Sequence, residues 1–152
     1  MGEIPKLEIS ENHQRRLSST LRLVDETLCI YRQWAEGGER HSIFYHEINN
    51  LSFSQRQAIL GIINEIMNLL SELKEVFDLG APVQEIGRTF LGQNAMLWSS
   101  IVEMHSRYLK GYGALSKVTK DYLDPKIDDL EELIKKLSSV VLRSDGQIDP
   151  GE

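Results

Sequence analysis

At 152 residues, with 41% hydrophobic and 26% charged side chains, the chain has the balance of a single folded domain and lies far from the disordered, highly charged class. Its net charge of −6 argues against a general nucleic-acid binder, and no segment is a basic patch: residues 114–143, rich in charge, carry 6 basic and 6 acidic side chains. No apolar run approaches the roughly 18 residues of a membrane span, and the opening MGEIPKLEIS has no signal-peptide core and Lys6 where a myristoylation motif needs Ser or Thr, so a cytoplasmic protein is expected.

Residues 1–9 read as a flexible N-terminus. Ser10 is a plausible N-cap for a first helix whose apolar face is Leu17, Leu21, Val24, Leu28, Tyr31 and Ala35, with Gly37-Gly38 as its stop. Cys29 lies within this pattern and is expected to be a small buried hydrophobe; as the single cysteine it excludes an intramolecular disulfide and a thiolate cluster. After the connection 37–52, Ser52 and Gln55 stand at capping-box spacing before a second helix with Ile59, Ile63, Ile66, Leu70, Leu73 and Phe77 on one face. Gly80 suits the left-handed residue beyond that helix, and Pro82 the first turn of the next.

The third helix is predicted from Pro82 to Tyr112, with Val83, Ile86, Phe90, Leu97, Ile101, Met104 and Tyr108 on one face and Asn94 in the gap of the heptad, where a buried, hydrogen-bonded amide fixes register. In the fourth, Leu115, Val118 and Tyr122 are out of phase with Ile127, Leu130, Ile134, Leu137 and Val141. That slip reads as one helix kinked near Pro125 or as two short ones, and the kink is favoured because a helix of about thirty residues matches the other three in length. The acidic tail 144–152 is expected to be disordered. Four amphipathic segments of similar length make an all-α protein: residues 10–143 are expected to form one antiparallel up-down-up-down four-helix bundle with a long first connection.

Chemistry is sparse. In MHSRYLKGYGAL, His105 invites comparison with histidine-phosphotransfer domains and their His-x-x-Lys-Gly motif, but Gly111 follows six residues later and is rotated by about 240° from the histidine, so that geometry is absent. No Glu-x-x-His pair, phosphate loop or HExxH occurs, and neither a metal nor a cofactor is expected. The connection GGERHSIFYHEINNLS is longer than bundle loops usually are and collects Arg40, His41, Phe44, Tyr45, His46 and Glu47 as candidate binding residues; its Ile43, Phe44 and Ile48 suit a short helix pinned onto the bundle. The Arg40 and His46 spacing is similar to the R-x(4–6)-H pair of RNA-cleaving helical domains of the HEPN class, in which arginine holds phosphate and histidine acts as acid or base.

The remaining signal is surplus apolar surface. Leu60, Ile62, Met67 and Leu69 widen the second stripe, and Met96, Trp98 and Val102 the third, beyond what one seam needs. Gly61, Gly87 and Gly92, costly inside helices, suit close packing by another helix. The expected function is a non-enzymatic helical interaction module, a subunit, adaptor or inhibitor, binding another protein or itself as a homodimer through the second and third helices. Two alternatives stand beside it: a small HEPN-like ribonuclease using Arg40 and His46, and an acidic inhibitor of a nucleic-acid-binding protein presenting Asp128, Asp129, Glu131 and Glu132.

Overall fold

The computed structural model describes residues 2–81 and 83–143. The tail 144–152, expected to be disordered, and Pro82 lie outside them. The protein is all-α: α1 (Glu11–Ala35), α2 (Phe53–Val76), α3 (Ile86–Val102), α4 (Ser106–Leu109) and α5 (Lys117–Leu142), with a 3-10 turn at Lys110–Tyr112. Among the described residues the sole extended pairing is an isolated antiparallel bridge between His41 and His46, and no helix is long and apolar enough to cross a membrane. The chain divides into two compact units, Met1–Pro82 and Val83–Glu152.

In the first unit α1 packs on α2. The Ser10 hydroxyl accepts the His13 N–H to start α1, and Ser52 with Gln55 closes the expected capping box on α2. α1 ends in a Schellman motif: Gly37, at φ 89°, donates to the Trp34 carbonyl at 3.0 Å, and Gly38 to that of Gln33 at 2.8 Å. The end of α2 has the same bonding, Asp78 N–H to Glu75 and Leu79 N–H to Lys74, but the left-handed residue is Asp78, at φ 50°, and not Gly80. Leu79 is buried at the next position, and that burial sets where the helix stops. Lys6 and Leu7 then reach back, donating to the carbonyls of Glu75 and Val76 in the last turn of α2.

Leu28, Ala35, Ile63, Val76 and Leu79 are the buried apolar residues of this unit. Cys29 is exposed. One residue beyond buried Leu28 is about 100° around the helix, enough to carry the thiol off the packed face.

In the second unit α3 packs on α5, and α4 on α5. α3 is shorter than the expected 82–112, and the reason lies in α5. At the break the His105 N–H and ring Nδ1 both turn to the Val102 carbonyl, at 3.2 and 3.1 Å, while Asp124 of α5 accepts the Ser106 N–H at 2.8 Å and its hydroxyl at 2.7 Å. Asp124 therefore caps α4 across the unit. α5 takes its own N-cap from Ser116 and runs as one helix through Pro125.

The packed face of α3 is rotated from the expected stripe, and that of α5 keeps Ile127, Ile134 and Val141 of its stripe but not Leu130 and Leu137. On α3, Asn94 and Ile101 are buried with Leu91 and Trp98 half-buried; on α5, Ile127 is buried, with Glu131, Ile134, Ser138 and Val141 half-buried. Asn94 fixes this rotation, as its amide nitrogen donates to the Ile134 carbonyl at 2.7 Å and the Ser138 hydroxyl at 2.6 Å. Other apolar residues are left exposed: Phe90 and Leu97 on α3, and Leu130, Leu133, Leu137 and Val140 on α5. Of the three helical glycines, only Gly87 has a packed neighbour, Val141; around Gly61 and Gly92 a methyl group would meet nothing within 4 Å.

Candidate functional site

All six candidate residues of the α1–α2 connection fall in one ordered turn. Asn49 anchors it: its amide nitrogen donates to the carbonyls of Trp34 and Gly38, its backbone N–H to Glu39, and its oxygen accepts the Leu51 N–H. Glu47 receives Arg40 three times, from the backbone N–H at 2.8 Å, from Nε at 2.9 Å and from Nη2 at 3.3 Å. Glu47 N–H returns a bond to the Arg40 carbonyl, and Ser42 N–H bonds to that of Tyr45, so residues 40–47 fold back as a miniature hairpin. At its tip Ile43 is 88% and Phe44 97% exposed, with Ile48 at 83%. The expected short helix pinned by these three side chains does not form, because the Arg40–Glu47 pair and the Asn49 turn satisfy the backbone locally.

Across the bridge, His41 and His46 meet with their Nδ1 atoms 3.1 Å apart, so one donates and the other accepts, while His41 Nε2 contacts Glu39 at 3.0 Å. Hydrogen bonding by the Arg40 side chain holds the Glu47 carboxyl below its usual pKa, and the Asn49 N–H does the same for Glu39. Reciprocally, Glu47 raises Arg40. The fork of Arg40 is occupied by a carboxylate, and its guanidinium also lies 5.9 Å from the Tyr45 ring. A phosphate would have to displace Glu47 for the Arg40 and His46 pair to work as a nuclease pair. A cavity of about 360 Å³ lies beside the turn, bordered by Trp34, Glu39, Glu47 and Asn49, at the lower end of the range of ligand clefts.

The candidate interface residues divide. Ile62, Leu69 and Met96 are exposed, whereas Leu60, Met67, Trp98 and Val102 are half-buried in their own units. Trp98 carries the Lys135 ammonium 5.2 Å from its ring.

A second convergence, in the other unit, has no sequence spacing to announce it. His105 Nε2 lies 2.8 Å from Asp128 Oδ1, and Nδ1 3.4 Å from Glu131 Oε1. Of the four carboxylates read as displayed to a partner, Glu131 is instead turned inward, its side chain 18% exposed. The two α5 residues stand three apart, which puts them on one face of the helix; the histidine comes from 23 residues earlier. No family model matches the chain, no curated protein is significantly similar to it in sequence, and no solved structure is significantly similar to it in fold.

Proposed function

We propose that the chain is a non-enzymatic helical interaction module that self-associates and serves as a subunit, adaptor or inhibitor. One observation carries this: the packing of α3 on α5 leaves Leu130, Leu133, Leu137 and Val140 of α5 between 43% and 61% exposed, a continuous apolar row at helical spacing. Fully burying an exposed side chain of this kind gains about 1.5–3 kcal/mol, and with roughly half of each still exposed about half of that remains, so a row of four still drives association. In this reading the α5 row is covered by the same row of a second copy of the chain, with α5 bending at Pro125 to follow it. A cytoplasmic location belongs to the same reading, since the single cysteine forms no disulfide within the chain.

The test is light scattering coupled to size-exclusion chromatography at high micromolar concentration. The natural chain is expected as a dimer, and Leu133→Asp, which changes an exposed position of α5, as a folded monomer. A monodisperse monomer for the natural chain refutes self-association.

A further inference from the structure

We infer that His105, Asp128 and Glu131 bind a divalent transition-metal ion of the Zn²⁺ type, at the corner where α3 gives way to α4 against α5. The inference does not depend on self-association. One imidazole nitrogen and two carboxylate oxygens lie within 4.8 Å of one another, close enough to share a single ion.

The hydrogen bonding around His105 fixes which nitrogen faces that ion. Nδ1 sits 3.1 Å from the Val102 carbonyl and Nε2 2.8 Å from Asp128 Oδ1; in the tautomer that carries its proton on Nδ1, bonded to Val102, the Nε2 lone pair faces Asp128. A carboxylate oxygen offers only lone pairs as well, so in that tautomer the two atoms can share a cation. Two donors each about 2.0–2.1 Å from a metal and 2.8 Å apart subtend roughly 85° at the ion, the angle of neighbouring ligands. A backbone carbonyl holding the far nitrogen of a ligating histidine is the usual outer support of such a site.

Glu131 gives an independent indication. Its Oε1 is shielded from solvent and makes no hydrogen bond, with His105 Nδ1 beside it at 3.4 Å. A buried carboxylate oxygen in that condition is satisfied by a cation. The corner is also held rigid on its other side, where Asp124 clamps the Ser106 N–H and hydroxyl. His105 and Glu131 form the shielded wall, with side chains 12% and 18% exposed, and Asp128, at 69%, is the solvent-facing arm through which an ion arrives.

The donor set chooses the ion. One nitrogen with two oxygens suits borderline ions such as Zn²⁺ and Co²⁺; Ca²⁺ needs six to eight oxygens, and thiophilic ions have no sulfur here. Three protein ligands leave the remaining positions to water.

The test is titration of the untagged, chelator-treated full chain with Zn²⁺ by calorimetry and with Co²⁺ by visible absorption. The His41 and His46 pair is a separate place for an ion to lodge, so the titration is run in parallel on His41→Asn/His46→Asn. Expected are one ion per chain in both proteins, Co²⁺ bands of nitrogen and oxygen ligation, and at least a tenfold loss of affinity in Glu131→Gln and in Asp128→Asn. Asp128→Asn is the safer variant because it changes an exposed position, and its helicity is checked by circular dichroism. Binding that survives Asp128→Asn and Glu131→Gln but disappears in His41→Asn/His46→Asn overturns the assignment. So does a natural chain that binds neither ion, the histidine then being an imidazolium bridging two carboxylates.

Discussion

Asn94 is the most economical test of how α3 and α5 are registered. Replacing it with alanine removes two donors, to the Ile134 carbonyl and the Ser138 hydroxyl, from a position 6% exposed. At about 1 kcal/mol net for each bond the loss is about 2 kcal/mol, which for a chain of this size lowers the melting temperature by about 4–8 °C. Ser138→Ala alone gives up one of those bonds and should lose about 1 kcal/mol. Because both single changes delete the same Asn94–Ser138 bond, the double variant should be little worse than Asn94→Ala, leaving a coupling of about 1 kcal/mol in a double-mutant cycle. Urea denaturation followed by far-ultraviolet circular dichroism gives all four free energies. Losses that add to within about 0.5 kcal/mol would mean the amide does not hold the two helices in register.

Two further outcomes follow from the backbone and from acid. Asp78→Gly relieves the left-handed residue that ends α2 and should stabilise by about 0.5 kcal/mol, while Gly37→Ala, at φ 89° and with the Arg56 guanidinium in the way, should destabilise by about 1–2 kcal/mol; opposite signs in thermal melts are the check. Asp124 has its pKa depressed by the Ser106 hydroxyl and N–H, so its contribution is full above the ordinary carboxylate range and is lost as pH falls through the lowered folded value. Melting temperatures measured from about pH 7 down to about pH 3 should therefore fall less steeply for Asp124→Asn than for the natural chain; equal slopes would remove the Ser106 clamp as a cause.

What was legible in the sequence was local. Ser10 and the Ser52–Gln55 box act within a turn of their own residues, and the structure uses both as expected. Features decided by a neighbour elsewhere in the chain escaped. α3 stops at Val102 and the chain starts again at Ser106, whose N–H is taken by Asp124 on another helix, and nothing near Met104 signals this. Asp78 rather than Gly80 adopts the left-handed conformation because Leu79 is buried. Asn94 was readable as a buried amide from the gap it leaves in the heptad, but not the rotation it imposes, which exposes Leu130 and Leu137 while Ile127 stays buried as expected. The connection 37–52 was legible as a cluster of polar and aromatic residues, not as a hairpin, because that shape rests on the pairing of Arg40 with Glu47. The histidine and carboxylates of the second unit are joined only by the packing of α4 on α5.

The miniature hairpin between α1 and α2 changes the entropy of its segment more than its energy. With Arg40 tied to Glu47, residues 41–46 close as a loop of their own and roughly half as much free chain separates the helix ends. Loop-closure entropy grows only logarithmically, so halving the loop lowers the cost of bringing α1 onto α2 by just ~0.6 kcal/mol. Its larger effect is at the tip, where Ile43 and Phe44 stand in solvent on backbone whose freedom was already lost when the unit folded. A contact made there begins without the ordering penalty a slack loop of the same sequence would carry.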